Sequence, residues 1–576
     1  MTRLLLVLAL FAPFAASAQD TATGTRTGAD LINDELGKTW SDAGIKPPSA
    51  CSDLEFLRRV TLDLTGTVPS LERLRAFMAD TSASKREKLV DELLASGRFV
   101  DNWTMLWQDL LMSMSVERSR EQGAGEAFRI ALRERIAKNQ PFDAFVRELL
   151  TTTASWSNDA ETQKESHEGL VMWYSQFNQN RANVMSSSVS KVFLGVQIQC
   201  AECHDHPFDK WTQEDFKANA AWFGRFRPER KQIGEKVDKQ RDQKYLYSIQ
   251  DENPAANRND KKPAKAVPDK ARGNVNTADP RFLDGAAIPD GVARRINYAQ
   301  WLTSKSNRQF AKNAVNRMWA HFFGRGIVHP FDDFTLRNKP VVPALLDRLA
   351  DDFTAGGYDL RKLMRAMVLS KAYQMTSAAK ESDPGAVKYF ARTQVRSLTP
   401  EQLFNAVVDA TTPGGADYGT GAEVRGGNKG GRGGGGRREF LTTFRGARNE
   451  ADAAAEPEIG VPQALYLMNG ALMAAAAKAM PQSQLAEILA KRKIPGERIE
   501  DIYLSLLCRK PNGGELAKAA QYIANHKKTE TVVEQPAKGN GRPQKPMGGK
   551  AADPDAQAYE DLVWALLNST EFQTNH

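Results

Sequence analysis

The chain has 576 residues, 41% hydrophobic and 26% charged, with a formal net charge of +8. At roughly 150 residues per domain this is three or four domains' worth of chain, enough to bury a large core without staples. Such a composition excludes wholesale disorder, a collagen-like repeat and a disulfide-dense mini-protein. The absence of any later apolar run of membrane-spanning length excludes a polytopic membrane protein.

Residues 1–18 read as a secretory signal peptide. Arg3 supplies the positive start, Leu4 to Ala15 the apolar stretch, and Ala16-Ser17-Ala18 the small-residue cleavage site, so the mature chain begins near Gln19. The expected location is the periplasm or another extracytoplasmic space, with no transmembrane span after cleavage.

From residue 30 onward the periodicity is helical almost throughout, and the expected fold is mainly α. Two helical domains are expected, at 30–226 and 291–576, with long polar insertions and a short β element around 245–290. Leu360, Leu363, Met364, Met367 and Val368 form one stripe, with Asp359 as N-cap and Gly356-Gly357 ending the helix before. Ile499, Ile502, Tyr503, Leu506 and Leu507 form a second, and Tyr559, Leu562, Val563, Leu566 and Leu567 a third.

Three segments interrupt this pattern. Residues 227–290 are a charged linker or insertion; within it, 227–272 holds 13 Lys+Arg against 8 Asp+Glu. Residues 414–436 contain 12 Gly among 23, and 527–556 are rich in Lys, Pro, Gly and Gln. Both are expected to be flexible insertions in the second domain. The basic character does not call for nucleic acid: mixed signs in an exported chain read as a solvated segment.

The four cysteines carry the chemistry. Cys200-Ala201-Glu202-Cys203-His204 is C-x-x-C-H, the attachment motif of haem c. Its two thiols add to the two haem vinyl groups and the adjacent imidazole ligates iron. Two other readings stay open: a C-x-x-C disulfide, and a zinc site that adds His204 or His206 to the two thiolates. The aromatic run Phe208, Trp211, Phe216, Trp222, Phe223 and Phe226 is either a wall over the macrocycle or local helical core.

The candidates for an opposite axial ligand are His167, His321, His329, Met172, Met185 and His576. His321 is preferred because it ends an aromatic helix flanked by Arg317 and Arg325; the competing reading is a hydrogen-bonded core histidine. Cys51 and Cys508 are a candidate disulfide. Asp332-Asp333, after His329-Pro330, reads as caps or a solvated face ahead of paired catalytic carboxylates.

Longer stretches are recognisable. Phe56-Leu57-Arg58-Arg59-Val60-Thr61-Leu62-Asp63-Leu64-Thr65-Gly66-Thr67-Val68-Pro69 and Phe193 to Asp209 resemble two blocks of the planctomycete-type cytochrome-like domain of unknown function. Its partner domain of unknown function is resembled by Val315 to Gly326, Asp332-Asp333-Phe334, Gly357-Tyr358-Asp359-Leu360 and Ser370 to Gln374. Pro462 to Leu465 and Trp564 to Phe572 match it too. The resemblance implies an exported protein with one cytochrome-like site and no settled activity. The expected function is therefore that of a single-haem c-type protein, an electron carrier or the haem centre of an extracytoplasmic oxidoreductase. Its partner would be a redox protein or a substrate related to extracellular polysaccharide. The alternative is a haem-free exported scaffold or glycan-binding protein whose C-x-x-C-H segment is held by a disulfide or zinc.

Overall fold

The computed structural model describes residues 27–112, 123–157, 166–177, 181–224, 226–233, 244–251, 278–286, 293–378, 384–413, 435–445, 460–533 and 555–576. The signal-peptide reading of residues 1–18 lies outside them, as does nearly all of 414–436 and the stretch 534–554. The protein is mainly α, with small sheets of two and three strands. Among the described residues no helix is long and apolar enough to cross a membrane.

Local sequence signals place the helices. Ser52 caps the helix Asp53–Thr65 by accepting from the Glu55 amide, and Gly66, at φ 70°, ends it in the left-handed region that glycine adopts without strain. Asp359 caps Leu360–Val368 through the Lys362 amide, and that helix buries Leu363, Met364, Met367 and Val368. The stripe beginning at Ile499 lies on the helix Pro495–Leu507, and the one at Tyr559 on Ala556–Leu567. Helix Gly513–Val533 runs into the stretch 527–556 that composition assigns to an insertion.

The segment 227–290 is not wholly irregular. Phe226–Ile233 and Lys244–Asp251 pair antiparallel, and Ser155–Ser157 joins the free edge of the second strand. Tyr247 and Ile249 are buried while Leu246 and Ser248 beside them are only partly so, a period-two pattern that the net charge of the stretch masks.

Packing divides the protein elsewhere than composition does. One core joins helices from the first 224 residues to those of 294–391 without a break at 227–290. A second core joins Leu62, Val68 and Leu71 to residues between Leu398 and Phe572. The helix Asp53–Thr65 belongs to both: Phe56, Leu57, Val60 and Leu64 enter the first, Leu62 the second. A polar, loop-rich stretch marks where the chain leaves a core, and here the chain returns to the same one.

Candidate redox site at the C-x-x-C-H loop

The segment leading to the motif is wound unusually. A π-helical turn, Ser190–Leu194, closes on Gly195 at φ 66°, and a 3₁₀ turn, Ile198–Glu202, follows with Cys203 at its end. Three residues make a turn of 3₁₀ helix, so positions i and i+3 eclipse. Cys200 and Cys203 stand three apart across this turn and its cap; both are exposed free thiols.

The loop after the motif folds back on the helix Gln213–Ala220. Gln213 Nε2 donates to the Glu202 and Cys203 carbonyls at 3.2 and 3.1 Å, and its amide donates to Asp205 Oδ1 at 2.9 Å. The His206 amide donates to Trp211 O at 2.7 Å. Thr212 and Asp215 form a capping box that fixes the helix start. His204 is exposed, and its Nδ1 lies 2.8 Å from the Asp205 carbonyl. A protonated Nδ1 donates there and leaves Nε2 as the metal-binding nitrogen.

Of the aromatic run, Trp211, Phe216, Trp222 and Phe223 are buried core, so the wall reading fails for them. Trp222 stacks on Phe282 at 4.4 Å and Phe223 meets Tyr298 edge-on at 4.8 Å. Phe208 alone among the described rings of this run stays 60% exposed, next to the motif; the Phe226 ring lies outside the described side chains. An apolar cleft of about 480 Å³, counted to its open mouth, lies elsewhere, among Trp103, Trp107, Phe142 and Met364.

His321 does not face the motif. Its Nε2 lies 3.1 Å from the Asp63 carbonyl, and its ring packs 4.9 Å from both Trp103 and Phe322. Burial pushes its pKa below the ordinary histidine value. It is the hydrogen-bonded core histidine of the competing reading. Met172 and Met185 are fully buried in the first core, and the His576 carbonyl is held by Arg59. The His167 side chain lies outside those described. Cys51 and Cys508 are buried free thiols with different neighbours: Arg86 Nη1 is 4.0 Å from Cys51 and Arg58 Nη1 is 3.9 Å from Cys508. The structure does not bring them together.

What meets the residues on either side of the motif is the loop 325–338. Phe334 N donates to Gly195 O at 2.8 Å. Asp332 is buried, not the cap or solvated acid expected; it pairs with Lys191 at 3.5 Å and accepts from Gln197 at 3.4 Å. Burial pushes the Arg317 pKa down to about 10, with Asp332 opposing. Asp333 accepts from Asn338 at 2.8 Å; burial, then Asp332 and Asp209, raise its carboxyl above the ordinary value. The Arg337 guanidinium lies over the Phe208 ring at 4.7 Å. His329 lies in this same loop, its pKa lowered by burial and by Arg325. Sequence reasoning missed this loop, although a signal existed: His206-Pro207-Phe208-Asp209 and His329-Pro330-Phe331-Asp332 are the same tetrapeptide.

Gly195 sits where the two pieces touch. A Cβ there would stand 2.6 Å from Asn313 Oδ1 and 2.6 Å from the Phe334 ring, at a positive φ. Gly195→Ala is expected to cost about 1–3 kcal/mol, the usual range for overpacking. Chemical denaturation measures it, and a loss within error of zero would mean that the contact is not tight.

Residues 31–227 match the family model PSCyt2, Protein of unknown function (DUF1549), and residues 294–421 match PSD1, Protein of unknown function (DUF1553). The chain carries these two domains of unknown function in tandem, the arrangement that its sequence resembles. No curated protein and no solved structure matches it.

Proposed function

We propose that the protein is an extracytoplasmic single-haem c-type redox protein, with Cys200 and Cys203 attaching the haem and His204 Nε2 as its iron ligand. The observation that carries this reading is the pair of exposed free thiols spaced one 3₁₀ turn apart, followed directly by an imidazole whose Nδ1 meets a backbone carbonyl. A haem bound there supplies one-electron chemistry at its iron. The chain's own residues do the rest: Gln213 and Asp205 hold the loop, and Phe208 offers an exposed ring beside it. The partner under this reading is a redox protein, or a substrate derived from extracellular polysaccharide.

The zinc reading is less well supported: among the described residues, no three His, Cys, Asp or Glu side chains converge as ligands. A reversible Cys200–Cys203 disulfide is the second reading, favoured by the same spacing and exposure of the thiols.

The test is expression with a c-type maturation system, followed by a haem-stained denaturing gel. The wild-type polypeptide is expected to stain and Cys200→Ser/Cys203→Ser to lose the stain; compared as haem-free chains, the two should share an unfolding midpoint, because both thiols are exposed. An unstained wild-type chain, exported in cells that mature a control cytochrome, overturns the haem reading. Intact mass then distinguishes a disulfide, and elemental analysis distinguishes zinc.

A further inference from the structure

The loop 325–338 belongs to the PSD1 match and the thiols to the PSCyt2 match, yet the loop's side chains are directed at the residues just after the thiols. Two of its charges are the ones to consider. Arg337 is exposed, is held over the exposed Phe208 ring, and has no carboxylate partner among the described residues. Asp333 is part-buried, hydrogen-bonded to Asn338, and faces Asp209 and His206 without a cationic ion-pair partner. The neighbouring Asp332 is neutralised by Lys191, so it contributes little net field. Lys210 sits on the Trp211 ring at 4.6 Å. The backbone bond from Phe334 to Gly195 and the Asp332–Lys191 pair fix the loop, so these two charges are held rather than free to wander.

We infer that Asp333 and Arg337 belong to the same redox site as Cys200, Cys203 and His204, and that they bias its chemistry with opposite signs. The inference deepens the haem reading and rests on it for its first test only. A fixed charge within about a Debye length of a redox centre changes the relative stability of its two charge states. Asp333 favours the oxidised, more positive state, and Arg337 favours the reduced one. The site is thus composite: one domain supplies the attachment residues, and the other supplies the charges that tune them.

The first measurement is the midpoint potential of the haem-loaded protein at low salt. Asp333→Asn is expected to raise it and Arg337→Gln to lower it. Arg337→Lys, which keeps the charge and loses the planar stacking, should stay near wild type. Lys518→Gln, an exposed charge removed on the helix Gly513–Val533, serves as the remote control. The second measurement needs no haem. On the reduced, haem-free chain, the ratio of alkylation rates of Cys200 and Cys203 by anionic iodoacetate and neutral iodoacetamide reads the local potential, because thiolate content cancels. The ratio should fall in Arg337→Gln and rise in Asp333→Asn. Shifts of opposite sign, larger than that of Lys518→Gln, support the inference. Shifts in one direction, or equal to the control, overturn it. If no haem attaches, the haem reading fails, and the alkylation ratio still decides whether the two charges act on the thiols.

Discussion

Asp63→Ala is expected to destabilise the protein by about 3–5 kcal/mol, the range for removing one partner of a buried ion pair. Asp63 is 1% exposed and is met from three distant parts of the chain. Arg396 Nη2 donates to both carboxylate oxygens at 2.9 Å, the Tyr373 hydroxyl to one at 2.7 Å, and Asn575 Nδ2 to the other at 2.8 Å. Removing the carboxylate strands all three donors. In the intact protein burial, then Asp63, holds the Tyr373 hydroxyl well above its ordinary pKa, so it is present as a donor. Chemical denaturation of Asp63→Ala, Arg396→Ala and the double variant forms a cycle. The double variant should lose less than the sum of the singles, since it leaves no unpaired guanidinium. A loss under about 1 kcal/mol for Asp63→Ala would show that solvent reaches this network.

Arg58→Ala is the second large effect. Its side chain is fully buried and, among the described residues, meets no carboxylate. Its guanidinium instead gathers carbonyls: Leu506 at 3.1 Å, Phe572 at 3.0 Å, Thr574 at 3.3 Å and Glu571 at 3.4 Å. Charge-assisted bonds of this kind contribute about 1.5–3 kcal/mol each when made singly, and they are not additive. The expected cost is about 3 kcal/mol or more, including the cavity left behind. Arg58→Lys should recover less than half, because one ammonium cannot span acceptors on both the Pro495–Leu507 helix end and the Glu571–Thr574 turn. Recovery to wild type by lysine would mean that charge alone, and not the planar fork, holds these ends.

These two residues belong to a stretch recognisable from sequence as a signature, and their role shows what sequence could and could not reveal. The helices were legible because periodicity and caps are local: Asp359 and the Leu363–Met367 stripe each need only their neighbours. The Cys200–His204 motif could be picked out because its spacing is written in five consecutive residues. His321 was misread because an aromatic helix end looks the same whether it faces a cofactor or a core; Trp103 and Asp63, far away in sequence, decide the matter. Trp222 and Phe223 went into the core for the same reason, their partners Phe282 and Tyr298 lying at the far end of the charged insertion and just past it. The composite character of the site depends on a loop more than a hundred residues downstream, and only the repeated His-Pro-Phe-Asp hinted at it. The change of composition at 227–290 falls between the two family matches, 31–227 and 294–421, while the hydrophobic cores close without regard to it.

The long reach of Asp63 has a consequence in time. Its partner Asn575 is 512 residues further along the chain. At a synthesis rate of about 5–20 residues per second, the ribosome needs roughly 25–100 seconds to make that stretch. Throughout that interval the helix Asp53–Thr65 has two arginines and an aspartate destined for the interior but no complete set of partners to receive them. The helix cannot settle early as a finished piece: Phe56, Leu57, Val60 and Leu64 have core partners by residue 391, but Leu62 and the buried charges wait for the C-terminal segment. Fragments cut at the edges of the PSCyt2 and PSD1 matches are expected to aggregate where the whole chain does not, because each splits the partners of this helix.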